Sequence, residues 1–322
     1  MRPLAAAALA IALTAGGCTA SPAGLTKGPV AAGSGVTVKA APVALNPDAP
    51  TQDRVGDFAY AGGLVLTADD TSRLHGLSDL SISADGQLTA VSDEGDLVQA
   101  RIILGADGRL TGVAAARISA LPNLDGKPLP SKAEGDAEGL AVMGDGARLV
   151  SFERHHRIWL YPADRGLPRP APSPGAKFPD NDGMEALSPD PDAGPDAYVV
   201  GAEDTGETWT CRLTTTCTQG PTIAKPDGFG LASLTRLPQG RTAYVLRAWD
   251  PARGSRITLT IRDASGEVAR LELAKPLTVD NFEGVAAVPG ADGRVRFYLI
   301  SDDNFSASQR TLLLAFDWTP RP

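Results

Sequence analysis

The stretch 279–305, VDNFEGVAAVPGADGRVRFYLISDDNF, decides the fold. It sets a carboxylate beside a glycine at Glu283-Gly284, crosses a turn at PGADGR, climbs the apolar run VRFYLIS and stops at Asp302, Asp303 and Asn304. Two β-rich segments around a Gly/Asp turn read as a hairpin. Four other stretches share the plan: LHGLSDLSISADGQLTAVSDEG (74–95), AEGLAVMGDGARLVSFER (137–154), MEALSPDPDAGPDAYVVGAED (184–204) and FGLASLTRLPQGRTAYVLRAWD (229–250).

A third strand follows each hairpin: LVQARIIL, RIWLYP, TWTCRL, RITLTIR and TLLLAFDW. A fourth, GVAAARIS, PTIA or VARLEL, follows in several units. The period of roughly 45–60 residues suits propeller blades of four strands, and no long amphipathic helical pattern competes. The reading is an all-β five-bladed propeller over 53–322. The last unit ends without a fourth strand, and the spare segment FAYAGGLVLTA (58–68) closes the ring by pairing with it, which removes an exposed sheet edge. Six blades result if 105–135 or 162–182 holds a degenerate unit, and an open β-sandwich is the competing architecture.

Around this unit the composition is ordinary for a globular chain, with 43% hydrophobic and 21% charged residues. The formal charge of -8 and the lack of a basic stripe argue against a nucleic-acid partner. Residues 1–17 read as a lipoprotein signal peptide: Arg2, the apolar LAAAALAIALTA, then AGG before Cys18, the expected lipidation site. An ordinary secretory signal is the alternative. Residues 18–52, rich in Ala, Pro, Gly, Thr and Ser, read as a flexible tether. Thr19 rather than an aspartate follows the cysteine, so the expected location is the outer membrane, facing the periplasm, as a lipid-anchored monomer. In an exported chain the remaining Cys211 and Cys217 are expected to form a local disulfide.

Aligned on EGLA, the units give a first column of His75, Glu138, Glu185, Phe229 and Glu283. Aligned on the end of the second strand they give Glu94, Glu153, Glu203, Trp249 and Asp303, with Asp93 and Asp302 just before two of them. Inner strands line a propeller's channel, so both columns are expected at one mouth. Crowded carboxylates raise one another's pKa and need shared protons, basic partners or a cation. Calcium suits an oxygen-rich ring, while His75 fits a base or a softer-metal ligand. Strand-end acids also cap turns, which is the plain alternative for any one of them. Glu138, Glu185, Glu203, Glu283 and Asp303 are the candidate metal ligands; His75, Glu138 and Glu153 are the catalytic candidates; Arg154 and Arg247 are candidate substrate clamps or counter-ions.

No G-x-S-x-G elbow and no phosphate-binding P-loop occurs. The set GLSDLSI…VSDEG, DAEGLAV…VSFER, GMEALS and DNFEGVA…LISDDNF, over 72–316, resembles the phytase-like family, also described by the esterase-like activity of phytase. The resemblance implies an exported bacterial β-propeller that hydrolyses a small-molecule phosphoester or carboxylester. Propeller phytases hold several calcium ions among acids and basic phosphate ligands; lysine is sparse around the ring expected here. A non-catalytic envelope binding or scaffold propeller and a gluconolactonase-like lactonase are the other two functional readings.

Overall fold

The five hairpin units become the inner halves of five separate sheets. In the computed structural model, which describes residues 34–320, the sheets follow one another in chain order. Two short strands come first, β1 (Ser34–Gly35) and β2 (Val38–Pro42), then β3 (Arg54–Val55) and the long β4 (Phe58–Ala68). Blade 1 holds β5 (Leu77–Ile82), β6 (Gln87–Ser92), β7 (Asp96–Leu104) and β8 (Leu110–Ala120). A single helical turn, α1 (Lys132–Gly135), leads into blade 2: β9 (Ala137–Val142), β10 (Arg148–Phe152), β11 (Arg157–Tyr161) and β12 (Arg169–Ala171). Blade 3 is β13 (Ala186–Pro189), β14 (Ala197–Gly201), β15 (Thr208–Arg212) and β16 (Cys217–Gln219). Blade 4 is β17 (Gly230–Leu237), β18 (Arg241–Asp250), β19 (Gly254–Asp263) and β20 (Gly266–Leu273). Blade 5 is β21 (Asn281–Pro289), β22 (Val295–Asp302) and β23 (Leu312–Trp318), completed by β4.

β4 pairs antiparallel with β23, Leu313 opposite Leu64 and Trp318 opposite Phe58, so the N-terminal strand closes the ring as its sequence position predicts. The inner strands β5, β9, β13, β17 and β21 touch in succession, and β21 touches β5. No sixth blade intervenes: 105–135 holds β8, a loop hairpin and α1, and 162–182 holds β12. In blade 3 the fourth strand is Cys217–Gln219 rather than the expected PTIA, because the Cys211–Cys217 disulfide joins directly opposed residues of β15 and β16.

The core lies between blades, where inner-strand residues Leu77, Ala137, Met184, Leu231 and Phe282 are all buried, as are Leu80, Leu140, Leu187, Leu234 and Val285 three places on. Burying each of the larger side chains contributes about 1.5–3 kcal/mol. The repeat of the same apolar positions in every unit makes each blade interface a copy of the next.

The expected tether of 18–52 is corrected over its described part. Val38–Pro42 pairs with the outer edge of β4. Leu45 is 1% exposed, its carbonyl accepts from the Thr278 N–H at 2.7 Å, and the Val43 carbonyl accepts from the Tyr60 hydroxyl at 2.7 Å. An open sheet edge and an apolar slot at blade 5 hold a segment whose composition alone gives it no core. The expected signal peptide and the expected lipidation site Cys18 lie outside the described residues.

Candidate functional site: a carboxylate ring at the channel mouth

Backbone pairing gives each blade the same local register. Leu77 opposes Ser92, Ala137 opposes Phe152, Leu231 opposes Leu246 and Phe282 opposes Ser301. In blade 3 the Glu203 N–H bonds the Gly183 carbonyl just as the Glu153 N–H bonds that of Asp136 and the Asp93 N–H that of Gly76, which puts Met184 at the same place. The next position on each inner strand is then Ser78, Glu138, Glu185, Ala232 and Glu283. The residue just past each outer partner is Asp93, Glu153, Glu203, Arg247 and Asp302. In blades 1, 2, 4 and 5 the pairing is irregular there, and such bulges re-aim side chains.

This register corrects the sequence alignment at five places. His75 and Phe229 stand three residues before the true equivalents Ser78 and Ala232, and Glu94, Trp249 and Asp303 give way to Asp93, Arg247 and Asp302. Blade 4 thus contributes the one cation of the second column. Glu138, Glu153, Glu185, Glu203 and Glu283 are brought together with it. The sequence reading missed Asp136 and Lys132, which sit on and beside α1.

Three carboxylates, Asp136, Glu138 and Glu153, each offer an oxygen within 4.8 Å of the others. Asp136 is held by Lys132 and by Arg154, whose Nε donates at 2.5 Å. Lys132 Nζ also donates to Asp93 at 2.7 Å. Across the mouth, Arg247 donates to Glu203 at 2.8 Å and to the Asn281 side-chain oxygen at 3.0 Å, and pairs with Glu283. Glu138 accepts no hydrogen bond and forms no ion pair among the described residues.

Eight carboxylates (Asp93, Asp136, Glu138, Glu153, Glu185, Glu203, Glu283 and Asp302) thus share three cations, Lys132, Arg154 and Arg247. Burial, then the charges of Glu185 and Glu283, push Glu138 well above the usual carboxylate range. Glu185 is raised by burial and by Glu203, and Asp302 by burial and by Glu283. Burial and Asp136 lift Glu153 to about 7 despite Arg154. Glu283 also reaches about 7 through burial, although Arg247 pulls it down. Burial lowers the Arg247 pKa, but Glu283 and Glu203 more than reverse this and hold it charged.

Two glycines make room for the crowding. A Cβ on Gly230 would stand 2.5 Å from a Glu203 carboxylate oxygen, and one on Gly76, which has φ +59, would collide with the Asp93 carboxylate. Beneath the ring, Asp79 plugs the channel. It is 1% exposed and accepts from the Leu140 N–H at 2.9 Å and the Ser233 hydroxyl at 3.0 Å. Burial raises its pKa well above normal against those bonds.

His75 lies beside the ring, at the seam of blades 1 and 5. Its Nδ1 is 2.8 Å from Asp303, which also accepts from the Thr311 hydroxyl at 3.0 Å and the Gly76 N–H at 3.2 Å. The bond to Asp303 raises the His75 pKa. Burial pushes Asp303 up, but its partners outweigh this and leave it below the usual range. Asp303 is therefore committed to His75, and these two side chains join Phe305 and Ser306 around a separate cavity of about 340 Å³.

The sequence matches the phytase-like family, described as "esterase-like activity of phytase", over residues 72–305. The chain belongs to the phytase-like family. Its matched region starts just before blade 1 and ends after Asp303, so it carries every ring residue. No curated protein matches the chain. Among solved structures, this phytase-like propeller is similar to a calcium-binding protein, regucalcin, from Agrobacterium tumefaciens, at 14% identity over 92% of this chain and 94% of that one, TM-score 0.44. A putative gluconolactonase is similar at 14% identity over 90% and 92%, TM-score 0.44. Virginiamycin B lyase from Staphylococcus aureus is similar at 12% identity over 87% and 99%, TM-score 0.42.

Proposed function

We propose that this protein is an exported ester hydrolase, acting on a small phosphoester or carboxylester, that requires a divalent cation at the channel mouth. The observation that carries the reading is the convergence of Asp136, Glu138 and Glu153, with Glu138 in no hydrogen bond or ion pair among the described residues. Such an oxygen-rich set fits a hard cation such as calcium, with Glu185, Glu203 and Glu283 adding negative charge from the next blades. When bound, the cation would polarise the ester oxygen and make a nearby water more acidic.

The chain's own groups supply the rest. Glu153 has two carboxylate oxygens, so one can face the cation while the other would take a proton from water and return it to the leaving oxygen. Arg154, whose side chain is 41% exposed, offers a guanidinium to an anionic substrate while its Nε stays on Asp136. Arg247 is less suited to clamp substrate, because both its terminal nitrogens are engaged by Glu203, Glu283 and Asn281. Its role in this reading is to fix the far wall of the ring. The base assigned here is Glu153 rather than His75, because His75 lies beside the ring and faces the separate cavity at the seam of blades 1 and 5.

We also propose that the propeller is carried to the cell envelope by the N-terminal leader and anchored through Cys18, as a monomer on the periplasmic side of the outer membrane. Fractionation of cells making Cys18→Ala tests this, with release from membranes as the expected result. The function is tested by turnover of phosphate esters, carboxylesters and lactones with calcium and with chelator. Calcium-dependent ester hydrolysis that Glu153→Gln abolishes supports the reading. Lactone turnover alone, or calcium binding with no turnover, replaces it by a lactonase or a binding propeller.

A further inference from the structure

Away from the ring, a cavity of about 400 Å³ opens between blades 1 and 2. Its walls are largely apolar: Leu97, Leu121, Pro122, Pro128 and the ring of Tyr161. The Tyr161 hydroxyl is already used, donating to the Pro122 carbonyl at 3.2 Å. Two arginines, Arg148 and Arg165, complete the lining, and no Asp or Glu faces them.

Arg73, Arg236, Arg247 and Arg296 are also largely buried, and each sits against a carboxylate. Arg148 has no such partner among the described residues, and its buried Nε has no hydrogen-bond partner. Arg165 stands on the 162–168 loop in a left-handed conformation, φ 64. The two guanidinium groups repel each other: burial, then Arg165, lowers the Arg148 pKa. An unpaired buried donor and two like charges are both costly, and one ligand removes both costs.

We propose that this cavity is a binding site for an amphiphilic organic anion. A carboxylate or phosphate head would bridge Arg148 and Arg165 by charge-assisted hydrogen bonds, and an aliphatic body would lie on Leu97, Leu121 and Pro122. Arg148 opens β10 and Glu153 follows its end, so the two sites are separated by the length of that strand, roughly 15 Å at the usual rise.

The test is calorimetric titration of the full chain at low salt with octyl phosphate, sodium octanoate, inorganic phosphate and acetate. Octyl phosphate or octanoate is expected to bind at least tenfold more tightly than its short counterpart, and which of the two binds identifies the head. Arg148→Met and Arg165→Gln are each expected to weaken that binding at least tenfold, while Glu138→Gln leaves it unchanged. Arg165 is on an exposed loop, so its variant keeps the test valid if Arg148→Met does not fold. The proposal is overturned if neither octyl compound binds at millimolar concentration, if the short anions bind equally well, or if Arg165→Gln binds as the natural protein does.

Discussion

Glu138→Gln separates a cation-binding ring from one that only shares protons. The carboxylate oxygens of Asp136, Glu138 and Glu153 lie within 4.8 Å of one another, so two full charges at an effective dielectric constant of 20 repel by about 3.5 kcal/mol. Proton sharing already relieves part of this, so the neutral amide should stabilise the metal-free protein by roughly 1–2 kcal/mol. With calcium the effect turns. A ligand present at a hundred times its Kd stabilises the folded state by about 2.7 kcal/mol, and a hundredfold loss of affinity leaves about 0.4 kcal/mol. Urea unfolding in chelator and in calcium measures both. The expected result is a higher baseline for Glu138→Gln and a calcium increment reduced to a small fraction. A lower baseline would refute the crowding, and an unchanged increment would refute Glu138 as a ligand.

Further outcomes follow from neighbouring groups. Arg247→Met leaves Glu203 and Glu283 buried without their counter-ion and should cost about 3–5 kcal/mol, read by the same unfolding assay. Asp79→Ala strips acceptors from the Leu140 N–H and the Ser233 hydroxyl, at about 1–3 kcal/mol for each group left unmet, without changing calcium affinity by calorimetry. Glu153 and Glu283 bind protons more tightly folded, at about 7, than unfolded, at 4.5. Their contribution is therefore greatest below the unfolded value and lost as pH rises through about 7, so the metal-free protein should gain stability on acidification from pH 7 towards 5. A flat or opposite profile in unfolding midpoints contradicts this. Replacing Cys211 and Cys217 together by alanine should cost about 2 kcal/mol from loop closure and leave calcium binding intact.

The blade plan was legible because each unit repeats an apolar inner strand, a Gly/Asp turn and an apolar second strand. Closure was legible because FAYAGGLVLTA had no partner of its own. The ring was legible only in part. Gly-Leu occurs at Gly76-Leu77 and at Gly139-Leu140, yet Asp79-Leu80 is the true counterpart of the second, and the bulge hides the slip. That slip drew His75 into the ring; in the second column the ring residues Asp93 and Asp302 stand one place before Glu94 and Asp303. In blade 4 Trp249 took the column position, yet Arg247 was legible as a counter-ion, and alternation along β18 sets it apart from its buried neighbours Leu246 and Ala248. Asp136 and Lys132 precede the first strand of blade 2 and so fell outside the repeat as first aligned. Val38–Pro42 was not legible at all: its strand state comes from the free edge of β4, which no local pattern reports.

The most direct measurement is an anomalous difference map from crystals of the protein soaked in manganese, a cation that takes the same oxygen ligands and is visible by its scattering. Cation binding at the channel mouth predicts one strong peak bonded to carboxylate oxygens of Asp136, Glu138 and Glu153. A map with no peak there, or with the metal only on exposed surface acids, would contradict it.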